Sequence, residues 1–312
     1  MKKGLSILLI VIFALSVFAS TEFYVVKSGD TVSKISQTTG VSVNDIISFN
    51  NLNKNGLIKV GQKLRLVPAY TKKDLNEQMV MALNWYQTSG EMKALSYQAF
   101  NVAKMIYDND MKNNTSTEKR AVIVDIDETI FNNSPADAEH IGKDTSYPTG
   151  WKEWCEAAVA KALPGAVDFL NYVVKNGGDV YYISNRSDSL KEATIKNLKA
   201  EGFPEADVEH VLLKTTTSDK GPRREIVEKD HRVVLLMGDN LNDFTSMYRH
   251  KSLEERNSIV DQDKDKFGIK FVVLPNPIYG DWEGAIYNGN WGMNPSEKNK
   301  ARKDHIIKYE GK

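Results

Sequence analysis

Acidic and polar residues gather directly behind short apolar runs in this chain, and their types suit chemistry on a phosphate ester. Asp125-Ile126-Asp127-Glu128-Thr129 completes the run Ala121-Val122-Ile123-Val124, and Ser184-Asn185-Arg186 completes Val180-Tyr181-Tyr182-Ile183. Gly238-Asp239-Asn240-Leu241-Asn242-Asp243 closes a third run that begins at Val233, and Lys220 follows Thr215-Thr216-Thr217-Ser218-Asp219. Carboxylates crowded together repel unless a cation lies between them. Mg²⁺, which takes few protein oxygens in an octahedron at ~2.0–2.1 Å, suits such a place. Strand alternation points Asp125 and Asp127 to the same side, toward one substrate position. Phosphate monoesters need up to ~10²¹-fold acceleration, more than one group supplies. A carboxylate nucleophile divides the reaction in two, and a cation offsets the charge that repels it. A second carboxyl serves as acid and then base, while hydroxyl, amide and lysine donors hold the remaining oxygens.

Those residues must be positioned by a sheet. The run ending at Asp125 is continuously apolar, as expected of a strand buried on both faces. Further strands are predicted at Val180 to Ser184, Val211 to Leu213, Val233 to Gly238 and Ile269 to Leu274. Helical patterns lie between them at Ala166 to Lys175, Ser189 to Glu201 and Lys220 to Glu228. Such alternation predicts an α/β fold with a doubly wound parallel sheet, whose ligands sit beyond the carboxyl ends of the strands.

At these positions the chain resembles the haloacid-dehalogenase superfamily, and within it the class C acid phosphatases, over about residues 75 to 295. The resemblance is carried by Asp125-x-Asp127-x-Thr129, by Ser184 with Asn185-Arg186, by Lys220, and by Gly238-Asp239-Asn240-x-x-Asp243-Phe244. It implies that Asp125 is nucleophile and Mg²⁺ ligand. Asp127 would be general acid and base and would lend its backbone carbonyl to the metal. It assigns Thr129, Ser184, Asn185 and Lys220 to phosphate, Asp239 to Mg²⁺, and Asp243 to that same metal site. Glu128 stands where many superfamily members carry glycine, as in the class C branch. A small cap is expected between the first two motifs, around Tyr147 to Trp154. There Trp151 resembles the family's base-stacking aromatic, with Tyr279 as its partner, which would favour 5′-nucleoside monophosphates. Packing within the cap is the competing role for Trp151 and Trp154.

Upstream, Lys73 to about Met111 contains no proline and only Gly90, with apolar residues at three- to four-residue spacing. Two amphipathic helices broken near Ser89-Gly90 are predicted within a helical connector, residues 69–120, packed on the domain that follows, 121–295. Residues 296–312 read as a polar, frayed tail. Met1-Lys2-Lys3, an apolar run from Leu5 to Ala19 and small residues before Ser20 have the anatomy of a secretory signal peptide over 1–19. The run is short for a membrane span, and no stable transmembrane anchor is expected. An exported protein follows: periplasmic, wall-associated or extracellular.

Residues 22–68 alternate in the order strand, helix, helix, strand, with Ser28-Gly29-Asp30 as a turn and Thr31 and Ser42 as helix caps. Phe23 to Val67 resembles the LysM family, on Val25-Val26-Lys27-Ser28-Gly29-Asp30-Thr31, Asn50-Asn51-Leu52 and Ile58-Lys59-Val60-Gly61-Gln62. That implies a small α+β module binding the N-acetylglucosamine glycan of peptidoglycan or chitin, with Gly29, Asp30, Thr31 and Ile58 lining its groove. For each of these, shaping the loop is the competing role.

Composition limits the alternatives. The 312 residues balance 41 Lys+Arg against 41 Asp+Glu, so the basic surplus of a general nucleic-acid binder is missing. A single cysteine, Cys155, excludes internal disulfides and cysteine-cluster metal sites. Asp261-x-Asp263-x-Asp265 begins like an EF-hand but has Lys266 and Val272 where glycine and glutamate belong, and reads as a solvated loop. His140, in the cap region, is expected to pack rather than meet substrate. Two other functions stay open: a wall-binding adhesion protein whose α/β domain has lost catalysis, and a phosphatase for non-nucleotide phosphoesters.

Overall fold

The computed structural model describes residues 22–310, so the leader expected over residues 1–19 lies outside them. The chain divides between Ala69 and Tyr70 into two units.

The first unit runs β1 (Phe23–Val25), α1 (Val32–Thr39), α2 (Val43–Phe49) and β2 (Lys63–Arg65), with β1 and β2 paired antiparallel. Thr31 and Ser42 cap the two helices, their hydroxyls accepting from the Lys34 and Asp45 N–H groups. A minimal core of Val26, Val32, Ile35, Ile46, Leu64 and Leu66 holds the four elements together. Asn50 ties α2 to β2 by bonding both backbone groups of Arg65.

The second unit begins with α3 (Lys72–Glu77), α4 (Val80–Thr88) and α5 (Gly90–Asn113). The break falls at Ser89, whose extended backbone lets its hydroxyl cap α5 through the Met92 N–H. The α/β portion follows: β3 (Lys119–Val124), β4 (Phe131–Asn132), α6 (Ser134–Ala138), α7 (Trp151–Ala157), β5 (Lys161–Ala162), α8 (Ala166–Lys175) and β6 (Asp179–Ser187). Then come α9 (Lys191–Glu201), β7 (Val211–Lys214), α10 (Gly221–Glu228), β8 (His231–Gly238), α11 (Leu253–Gln262), β9 (Phe271–Val273), α12 (Asp281–Ile286) and α13 (Pro295–Asp304).

Five strands form a sheet in the order β7-β6-β3-β8-β9, and every pairing is parallel. The chain builds outward from β3 through β6 to β7, then crosses back to β8 on the other side of β3. The reversal opens a crevice beyond the carboxyl ends of β3 and its neighbours, where such folds bind ligands. Alternate residues of β3 feed two cores: Val122 and Val124 pack with α5 and α8, Ala121 and Ile123 with Val227 of α10 and Phe244. The segment expected to be a connector thus supplies Phe100, Ala103 and Tyr107 to the principal core. Between β3 and β6, the short ribbon β4–β5 closes an insert that carries α6 and α7, the expected small cap.

Two sequence readings need correction. Residues 296–304 are not a frayed tail but most of α13. Arg302 pairs with Glu283 at 2.5 Å, bonds the Tyr287 hydroxyl, and reaches the Leu75 carbonyl. Asp263 is not solvated: it is buried, accepting the Tyr248 hydroxyl at 3.1 Å and Lys266 at 2.8 Å. Among the described residues, no helix is long and apolar enough to cross a membrane.

Candidate active site

Asp125 is the first residue beyond β3, and its N–H still donates to Met237 on β8. Asp239 is the first residue beyond β8. One turn later Asp243 accepts the Asn240 N–H in a capping box, which aims its carboxylate back at the strand end. Oxygens of Asp125, Asp239 and Asp243 all lie within 4.8 Å of one another. Gly238 makes this possible, because a Cβ there would stand 2.3 Å from the Asp243 Oδ2. Lys220, just before α10, reaches in to bond Asp125 and, at 2.6 Å, Asp243. The Thr129 hydroxyl donates to Asp239 at 3.3 Å and the Asn276 amide does so at 2.9 Å.

Burial sets the electrostatics. It pushes the Asp125 carboxyl up to about 7 against the pull of Lys220, with Asp243 and Asp127 adding to the rise. Burial, then Asp243 and Asp125, drives Asp239 well above the carboxylate range. Lys220 is held above an ordinary lysine: burial opposes its charge, and Asp125 and Asp243 outweigh it. Three converging carboxylates against one ammonium leave negative charge that a divalent cation would neutralise, and hard oxygen donors are what such a cation takes. The donor set fits a divalent metal.

Asp127 faces a second group of partners. Its Oδ1 accepts Arg186 Nε at 2.9 Å and Asn133 Nδ2 at 2.8 Å, while Oδ2 accepts the Ser184 hydroxyl at 3.2 Å. Ser184 and Arg186 come from the end of β6, which runs on to Ser187 rather than stopping at the serine as expected. The Asn185 side chain is committed elsewhere, accepting from Arg223 at 2.6 Å. Trp151 opens α7 and stacks on the Arg186 guanidinium, 5.6 Å from its ring centre, with Tyr147 beside it. Trp154 points inward and donates to Asn133 Oδ1 at 2.8 Å. The Tyr279 hydroxyl donates to Glu128.

Several of these residues escaped the sequence reading. Glu128 is wholly buried with a left-handed backbone (φ 54°), and it also accepts the Asn133 N–H at 2.7 Å. Burial first, then Asp137 and Asp127, raises its carboxyl well above the usual range. Asp137 on α6 is pushed up to about 7 by burial and Asp127. Glu128 could have been suspected from its place inside the Asp127–Thr129 motif. Asn133, Asp137 and Arg223 carry no such sequence signal. His140 stays out of the site, bonding Thr145 Oγ1 at 2.9 Å, and Cys155 is buried.

In the first unit the four glycan candidates have local jobs. Asp30 accepts the Lys27 N–H at 2.7 Å and the Tyr24 hydroxyl at 2.9 Å, and Thr31 caps α1. Gly29 lies open at the surface with φ 81°, and Ile58 packs against the small core.

A parallel sheet that reverses at its central strand, with acids and a lysine at the reversal, defines the haloacid-dehalogenase fold and its phosphohydrolase-type site. The chain belongs to the family described as HAD superfamily, subfamily IIIB (Acid phosphatase), whose model matches residues 30–282. The class C acid phosphatase of Bacillus anthracis is 44% identical. It aligns with 76% of this chain and 99% of its own at a TM-score of 0.73. The same enzyme solved with tungstate bound is 45% identical, with a TM-score of 0.74. Acid phosphatase 1 of Solanum lycopersicum is 31% identical over 166 residues, half of this chain, which in turn spans 57% of that relative. An uncharacterized lipoprotein, YgeR of Escherichia coli, is 47% identical over 47 residues, 15% of this chain.

Proposed function

We propose that the chain hydrolyses phosphomonoesters, 5′-nucleoside monophosphates foremost, through an aspartyl-phosphate on Asp125. The observation that carries this is the meeting of Asp125, Asp239 and Asp243 with Lys220 at the sheet's point of reversal. Asp125, Asp239 and Asp243, with the Asp127 carbonyl, would hold Mg²⁺, which when bound offsets the charge of the phosphoryl group against the attacking carboxylate. An Asp125 oxygen attacks phosphorus and the ester oxygen leaves. Asp127 protonates that oxygen through Oδ2, whose one side-chain partner is the Ser184 hydroxyl. In the second half Asp127 takes a proton from water, the water oxygen attacks phosphorus, and Asp125 is released with inorganic phosphate. Lys220, Ser184 and Thr129 bind the phosphoryl oxygens, and Asn185 steadies that edge through Arg223. The tungstate complex of the similar enzyme supports a pocket suited to a tetrahedral oxyanion.

Trp151 and Tyr279 flank Asp127 through Arg186 and Glu128 respectively, a placement that supports an aromatic base site. Residues 22–68 act as a LysM module on peptidoglycan glycan, through the loop at Gly29 to Thr31 and around Ile58. The leader directs export, so that the phosphatase works while attached to the wall. Asp125→Asn should abolish turnover of AMP while leaving the melting temperature close to wild type. Comparing AMP with glycerol phosphate before and after Trp151→Ala tests the base site: a loss confined to AMP supports it, and equal losses refute it.

A further inference from the structure

At the opposite, amino edge of the sheet lies a second group of metal-ligating side chains that the phosphatase chemistry does not use. Asp179 is the first residue of β6, and Glu205 and His210 sit in the loop between α9 and β7. One ligand atom from each lies within 4.8 Å of the other two. Along β6 this is roughly 16 Å from Ser184, at ~3.3 Å per residue.

The histidine gives the cluster its direction. His210 Nδ1 is 2.9 Å from Asp207 Oδ1, which also accepts the His210 backbone N–H at 3.0 Å. An ionised carboxylate only accepts, so Nδ1 carries a proton and Nε2 is the ring nitrogen left to meet a ligand. That Nε2 is 3.9 Å from Glu205 Oε1, too long for a hydrogen bond. A ring nitrogen of His210 and one oxygen from each of Asp179 and Glu205 lie within 4.8 Å of one another, a mixed nitrogen and oxygen donor set that a divalent cation can take. A carboxylate on the far nitrogen is also the arrangement that fixes metal-binding histidines. The other two ligands are braced as well. Glu205 Oε2 accepts the Val180 N–H at 2.6 Å, and Asp179 Oδ2 is held by Lys119 at 2.6 Å and by His231 Nε2 at 2.8 Å.

We infer that Asp179, Glu205 and His210 form a second metal site, for a divalent transition cation of the zinc class, remote from the phosphate chemistry. One imidazole and two carboxylates with an open fourth position suit Zn²⁺ at ~2.0–2.2 Å, whereas Mg²⁺ seldom takes a nitrogen ligand. Bound there, the ion ties the start of β6 to the α9–β7 loop and stabilises the folded chain.

The test uses the whole chain, stripped of metal and then saturated with Mg²⁺, titrated with Zn²⁺ by calorimetry while its melting temperature is followed. Wild type should take up one Zn²⁺ more than His210→Ala, and only wild type should melt higher in Zn²⁺. Asp207→Asn, at a half-exposed side chain, should weaken that binding about 10–100-fold, with the metal-free melting temperature measured alongside to separate this from a loss of loop structure. Equal Zn²⁺ uptake by wild type and His210→Ala, or an unchanged affinity in Asp207→Asn, overturns the assignment.

Discussion

The site is assembled from side chains whose neighbours leave them little freedom. Gly238 is the clearest case: its missing side chain is the space that Asp243 fills. Gly238→Ala should therefore displace the Asp243 carboxylate and lower kcat/KM at least 100-fold in a phosphate-release assay. Asn133 receives Trp154 on its oxygen and donates to Asp127 with its amide, so a cap tryptophan helps orient the carboxylate proposed as acid and base. One hydrogen bond to a charged group contributes ~1.5–3 kcal/mol, and 1.4 kcal/mol is tenfold in rate. Asn133→Ala should accordingly lower kcat about tenfold or more with KM little changed, as measured by initial rates. Chelation by EDTA should remove activity and added Mg²⁺ should restore it; hydrolysis indifferent to EDTA would contradict the role given to the three aspartates. Asp125, Asp239 and Lys220 were legible because each directly follows a strand or precedes a helix, and Ser184 because it closes an apolar run, although its strand continues to Ser187. Asn133, Asp137 and Arg223 were not, since their roles depend on partners brought near only by the fold.

Among the elements, α5 is both core and brace. Its Asp110 receives Arg120 of β3 and Arg232 of β8, each at 2.7 Å, pinning the helix across two central strands. Burial raises this carboxyl, but the hydrogen bonds from Arg232 and Arg120 prevail and hold it below the usual range. A depressed folded-state pKa contributes stability that is complete above the unfolded value of ~3.9 and is lost as pH falls through the folded one. Asp110→Asn weakens charged hydrogen bonds and should thus lose about 2 kcal/mol at pH 7 by urea denaturation. The gap from wild type should narrow below pH ~4. The strands were readable from apolar runs bounded by acids, and the break at Ser89 from its capping chemistry. Helix α13 was not readable, because polar bonds through Arg302 and a buried Asn299, rather than an apolar stripe, hold it in place.

At the scale of the molecule, the Bacillus anthracis enzyme matches 99% of its own length while leaving about a quarter of this chain unmatched. The contacts of this chain divide in the same sense, with residues 70–312 forming a unit of their own. A chain trimmed to residues 70–312 should keep its kcat on AMP and lose retention on purified cell-wall sacculi. Retention by the trimmed chain would remove the wall-binding role given to residues 22–68. The order of elements in that first unit was visible in its turns and caps. The glycan contacts proposed for it rest on resemblance alone, since Asp30 and Thr31 spend their polar atoms within the loop.

Thr129 and Asp239, which share a hydrogen bond in the site, are 110 residues apart in the chain. A ribosome must therefore have delivered β8 before any phosphoester can meet a complete set of groups. A polypeptide kept unfolded for passage through a translocon would leave the nucleotide pool of its own cytoplasm untouched, and would become active only where its central strands finally close together.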